Sequence, residues 1–111
     1  LTTGAFEALL NAPAAIYRAQ TTYNEVGEPE TNYAFIATVP ARLDKFRYSG
    51  STATFAERGI QDVPSHKLFA PEYAPLEPGD LVRVDGREYE VLEAWEPGGV
   101  GHHKEAWLKS V

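Results

Sequence analysis

The sequence contains no cysteine and no methionine. Disulfides, thiolate catalysis and cysteine-ligated zinc are thereby excluded, and cysteine usage gives no reading of the redox compartment. Long apolar runs are missing as well. None approaches the ~20 residues of a membrane span, and no basic segment precedes an apolar one as in a signal peptide. A soluble protein of cytoplasmic origin, with no membrane contact, is the expectation. Positive charge is scarce: 10 lysines and arginines stand against 16 acidic residues, for a net charge of −6. Bulk attraction to nucleic acid needs a basic field, so sequence-independent DNA binding is not expected; an acidic surface keeps the protein soluble or repels DNA.

Enzyme motifs are missing too. Ser49, Ser51, Ser65 and Ser110 lie in no Gly-x-Ser-x-Gly elbow. Gly98, Gly99 and Gly101 form a glycine-rich stretch, but no Gly-Lys-Ser/Thr closes it as in a phosphate loop. There is no internal repeat and no low-complexity tract. Of the three histidines, His102 and His103 are adjacent and on a strand would face opposite sides. His66 could meet one of them across strands, with Glu105 as a third ligand, but no recognised zinc spacing is present. Glu25, Glu28 and Glu30 fall in a turn-rich stretch and read as solvated carboxylates. No catalytic, cofactor or metal site is expected.

What is present is an ordinary folded composition, 43% hydrophobic and 12% aromatic over 111 residues, enough for one domain over residues 1–111. The organising stretch is the last third. Val84-Asp85-Gly86-Arg87 is a strong hairpin signal, because a type I′ turn needs positive φ at both central positions and Asp-Gly supplies it. With that turn, Val84 opposes Arg87, Arg83 opposes Glu88, Val82 opposes Tyr89 and Leu81 opposes Glu90. One face then carries Val82, Val84, Tyr89 and Val91, and the other an Arg83–Glu88 cross-strand pair. Residues 102–109 return as a third strand of the meander.

Upstream, Phe6, Leu9 and Leu10 recur at helical spacing between Thr3 and Pro13, predicting one short N-terminal helix that docks on a β structure. Residues 14–23 read as a first strand. Residues 32–47 read as a longer second strand with Tyr33, Phe35, Ala37 and Val39 on one face and a bulge, bend or edge position at Pro40. Residues 46–64 show no period, and a loop of that length is commonly functional; it reads as irregular chain or as a short helical turn around residues 54–58. Residues 65–70 form a short strand. About five or six strands without βαβ alternation predict a mainly β fold, a small antiparallel barrel or sandwich.

In this order the features resemble the head-closure, or stopper, proteins of tailed bacteriophages, part of the head–tail joining connector group. The carrying residues are Ile16-Tyr17-Arg18-Ala19-Gln20, the strand from Phe35 to Pro40, the long 46–64 insertion, and the strand from Ser65 to Phe69. The run from Gly79 to Val91 and the strand from His102 to Leu108 complete them. The resemblance implies a small antiparallel β-barrel that forms a homo-oligomeric ring of six- or twelve-fold symmetry. The ring would meet a head–tail adaptor on one side and a tail terminator or tail on the other. Packaged double-stranded DNA would pass through it without sequence-specific binding. The location implied is the virion neck, assembled in the bacterial host cytoplasm, and gene-transfer particles and defective prophages carry similar parts.

The resemblance maps a channel-closing loop onto Phe46, Arg47, Tyr48, Ser49, Gly50, Thr54, Phe55, Glu57, Arg58 and Gly59. Trp95, His102, His103 and Trp107 are interface candidates. Two other readings remain at this stage. A tail-completion protein belongs to the same structural class, whereas an adaptor would be helix-rich. A small-barrel binding module would hold a peptide or sugar on Trp95, Trp107 and Tyr89.

Overall fold

The computed structural model describes residues 10–45, 63–99 and 101–111. Six strands run through them: β1 Ala12–Tyr23, β2 Pro29–Lys45, β3 His66–Pro71, β4 Leu81–Val84, β5 Arg87–Trp95 and β6 His103–Ser110. A single 3-10 turn at Pro97–Gly99 precedes β6. All pairings are antiparallel, neighbours follow the order β1-β2-β3-β6-β5-β4, and β4 pairs back onto β1 so that the sheet closes as a barrel. Within the closed part, closure removes the sheet edges that would otherwise offer unpaired backbone groups.

The β4–β5 hairpin has the expected register. Asp85 has φ 50° and Gly86 φ 76°, and Leu81 pairs with Glu90, Val82 with Tyr89, Arg83 with Glu88 and Val84 with Arg87. Val82, Val84, Tyr89 and Val91 point into the core, while Arg83 Nη2 donates to Glu88 Oε1 at 2.6 Å outside. Gly86→Ala forces a β-carbon into left-handed backbone at a cost of about 1 kcal/mol. A urea titration should show that loss as a lower midpoint with unchanged slope; an unmoved midpoint would mean that the turn does not hold the register.

The core is small-chained. Ala14, Ala41, Ala70, Ala74 and Ala106 share it with Ile16, Leu68, Leu108, Leu76 and the hairpin valines. Narrow barrels leave little interior width, so alanine at the crowded positions lets the few larger chains interdigitate. Ala74 and Leu76 come from the segment between β3 and β4, which covers one mouth of the barrel.

That segment is tied to β1 by a buried ion pair. Asp80 is 2% exposed; its Oδ1 accepts from Arg18 Nε at 3.0 Å and its Oδ2 from Arg18 Nη2 at 3.0 Å. Oδ2 also accepts the backbone N–H of Glu77 at 2.9 Å, and Arg18 Nη2 donates to the Pro75 carbonyl at 2.7 Å. The hydrogen bond to Asp80 is the main reason the Arg18 guanidinium binds its proton more tightly than usual.

β1 and β2 outrun the barrel. β4 covers β1 only from Ala14 to Tyr17, and β3 covers β2 only from Arg42 to Lys45. From Arg18 to Tyr23 and from Pro29 onward the hairpin therefore stands as a two-stranded arm, ~20 Å long at ~3.4 Å per residue. A register shift lies between Ile16 and Tyr17, where Ile16 faces Ala37 and Tyr17 faces Phe35, leaving Ile36 as the extra residue of a β-bulge. On the barrel side Ala14, Ile16, Val39 and Ala41 point inward; on the arm side Tyr23, Tyr33 and Phe35 are exposed.

Two expectations need correction. Tyr33, Phe35, Ala37 and Val39 do not share one buried face: the bulge at Ile36 breaks the alternation, so Val39 is buried while Phe35 is 58% exposed. Pro40 takes the edge position, one of the three places expected for it, and the bulge falls at Ile36 instead. Pro40 stays in β2 opposite Pro13, where neither strand has its second neighbour. The N-terminal helix over residues 3–13 is not supported: Leu10 and Asn11 belong to no element, and Ala12 and Pro13 already open β1. Pro13 fits there because its fixed φ suits extended chain and it meets no third strand. Residues 3–9 lie outside the described residues.

Candidate functional site

The outer faces of β3, β5 and β6 bring the interface candidates together. Trp107 on β6 lies opposite Lys67 of β3 and Glu93 of β5, and Glu105 lies opposite Phe69 and Trp95. Period-two alternation puts Ala106 and Leu108 in the core and Glu105 and Trp107 on this face. The Trp95 and Trp107 rings are 5.5 Å apart at 43°. Lys67 Nζ sits among three rings, 5.3 Å from Phe69, 5.6 Å from Trp95 and 5.2 Å from Trp107. Cation–π attraction draws the ammonium to the ring faces, while its Nζ also meets Glu105 Oε1 at 2.5 Å.

A polar chain continues from Glu105. Its Oε2 lies 2.8 Å from His103 Nε2, and His103 Nδ1 lies 2.8 Å from His102 Nδ1. A carboxylate can only accept, so His103 Nε2–H donates to Glu105; in the neutral ring His103 Nδ1 then accepts from His102 Nδ1–H. The two histidines were expected to face opposite sides of a strand. They do not, because β6 begins at His103 and His102 lies in the preceding bend, which turns its ring back onto its neighbour.

Burial resists ionisation of Glu105, but hydrogen bonds from Lys67 and His103 outweigh it and hold the carboxyl below its usual value. A carboxyl with a depressed folded pKa stabilises the fold fully above its unfolded value, ~4.3, and loses that contribution as pH falls through the folded value. Wild-type melting temperature should therefore decline from about pH 5 downward, and Glu105→Gln should decline less steeply over the same window. Parallel curves would show that the pair with Lys67 carries no acid-sensitive stability.

The cross-strand histidine set does not form. His66 starts β3 opposite Leu108, whereas His103 lies opposite Pro71 at the other end of that strand. Among the described residues no three histidine, aspartate or glutamate side chains are grouped so as to hold a metal ion. Tyr89, the third member of the proposed binding platform, is a core residue at 3% exposure with its ring edge-on to His66 at 4.8 Å. Trp107 is only 8% exposed, so its ring faces are taken up by Lys67 and Trp95 and offer no open stacking platform.

The residues mapped as a channel-closing loop, Phe46, Arg47, Tyr48, Ser49, Gly50, Thr54, Phe55, Glu57, Arg58 and Gly59, lie outside the described residues. Sequence reading missed the Lys67 position and the Arg18–Asp80 tie. The second had a signal, since Pro78-Gly79-Asp80 is a turn sequence set just before the hairpin.

No family model and no curated protein matches the sequence. Several solved structures do, two of them over nearly the whole of both chains. Protein SF1141 from Shigella flexneri 2a superposes with a TM-score of 0.67 at 13% identity, over 91% of this chain and 92% of that one. The fold is shared. A chain from the virion of a native gene transfer agent particle superposes with a TM-score of 0.59 at 15% identity, over 92% of this chain and 96% of its own.

Proposed function

We propose that the chain is a structural component of the head–tail connector of a tailed phage or phage-like particle. It forms a ring beneath the portal and adaptor and provides a surface for tail attachment, with no catalytic step. The observation that carries this reading is the likeness to a chain of the gene transfer agent virion, which spans nearly the whole of both chains. The order of strands and insertion in the sequence supports it independently. So does the net charge of −6, because an acidic conduit lets DNA slide past instead of gripping it.

A fusion at the exposed Val111, expressed in cells that make the particles, tests the reading. Cryo-electron microscopy should place the added density at the neck, and deletion of the chain should leave filled heads without tails. Particles that lack the fusion, or a deletion that leaves tailed particles intact, would overturn it.

A further inference from the structure

The two ends of the molecule carry opposite charge. At the arm tip the backbone N–H groups of Val26 and Glu28 both donate to Asn24 Oδ1, at 3.0 and 2.9 Å. Asn24 N–H donates to the Glu28 carbonyl and Gly27 N–H to the Asn24 carbonyl, each at 3.0 Å. An Asn side chain closing the turn in this way fixes its shape. The fixed tip presents Val26, 76% exposed, among Glu25, Glu28 and Glu30, with Tyr23 exposed behind it. No lysine or arginine occurs from Tyr23 to Asn32.

The other end is basic. Val84 lies beside Ala14 and Leu81 beside Tyr17, so the Asp85-Gly86 turn points away from the arm, and β2 ends at the same mouth with Lys45 paired to His66. Here the barrel opens on a hollow of about 400 Å3. Leu43, Val84 and Tyr89 form its apolar wall, and among the described residues Lys45, His66 and Arg87 line it against one acid, Asp85. Burial, with Lys45 and Arg87 adding to it, holds the His66 imidazole below its usual value, as a positive field would.

Several charges elsewhere are paired. Among the described residues Arg18, Arg42, Lys67 and Arg83 each hold a carboxylate. Lys45 and Arg87 at the mouth, and Glu25 and Glu28 at the tip, are in none of these ion pairs. We infer that the arm tip of one copy seats in the barrel mouth of a second copy. Val26 meets the apolar wall, and the tip carboxylates meet Lys45 and Arg87. The two surfaces differ, so the contact is head-to-tail and repeats from copy to copy until rotation closes a ring. This deepens the connector reading and rests on it for the closed ring.

The absence of native cysteine makes the test clean. Purified Val26→Cys and Leu43→Cys variants, each first shown to melt as wild type does, are mixed at high concentration and oxidised. The expected result is a disulfide-linked dimer of one variant with the other as the main product, and a ladder of higher species from the double variant. Adding Glu25→Lys and Glu28→Lys to the Val26→Cys chain should abolish the link. Adding Lys45→Glu and Arg87→Glu to the Leu43→Cys chain as well should restore it. A mixture that stays monomeric, Val26→Cys linking to itself as readily as to its partner, or no rescue by the second reversal would each overturn the inference. The double variant is also oxidised within purified particles. A chain present at the neck without the link defeats the inference and leaves the connector reading standing. A link in solution with no chain in the particles does the reverse.

Discussion

Replacing Asp80 by alanine is expected to cost about 3 kcal/mol, among the largest losses available to any single polar substitution in the described residues. The carboxylate is 2% exposed and accepts three hydrogen bonds, two from Arg18 and one from the Glu77 backbone. Removing it leaves the guanidinium with Glu77 at 3.4 Å and the Pro75 carbonyl. The Arg18 side chain keeps 32% of its surface in solvent, which places the cost at the lower end of the range for a broken buried pair. Arg18→Lys should cost less, about 2 kcal/mol, because an ammonium cannot make the planar two-pronged contact. Urea unfolding followed by tryptophan fluorescence reads both. A loss below about 1 kcal/mol for Asp80→Ala would rank the pair with ordinary surface ion pairs.

Leu108→Ala is expected to cost about 3–4 kcal/mol. The side chain is fully buried between the β3 and β5 walls, opposite His66 on one side and Val91 on the other. The core it belongs to is rich in short chains: Ala14, Ala41, Ala70 and Ala106 have no rotamers with which to fill a cavity, so much of the void persists and its lining loses dispersion contacts. Leu108→Met, which keeps volume, should cost less than about 1.5 kcal/mol. Equal losses for the two substitutions would refute the cavity account.

The hairpin at Asp85-Gly86 was legible in the sequence because its whole determinant is local. Two adjacent residues set the turn, the turn sets the register, and period two then assigns every side chain to a face. The return of β6 was legible for the same reason, since it follows that hairpin after a glycine-rich break. The bulge at Ile36 was not. It carries no glycine or proline, and its cause lies in the geometry by which β1 and β2 leave a closed barrel, a property of four strands at once. The Arg18–Asp80 pair joins residues 62 positions apart, so neither partner's neighbourhood announces the other. At the outer face, Trp95, Trp107, His102 and His103 were found by residue type and Glu105 was weighed as a metal ligand, but the Lys67–Glu105 pair that binds them into one cluster depends on the β3–β6 register.

β1 and β2 pass without interruption from the free arm into the barrel wall. Hydrogen bonds between antiparallel strands lie across the strand direction. A pull on the tip, directed along the hairpin, therefore acts on the bonds from β1 to β4 and from β2 to β3 in shear, all of them at once. A sideways peel would instead open them one after another. Mechanically, the arm is the end of a bolt that runs through the wall of its own barrel, and traction along its axis meets the combined strength of both seams.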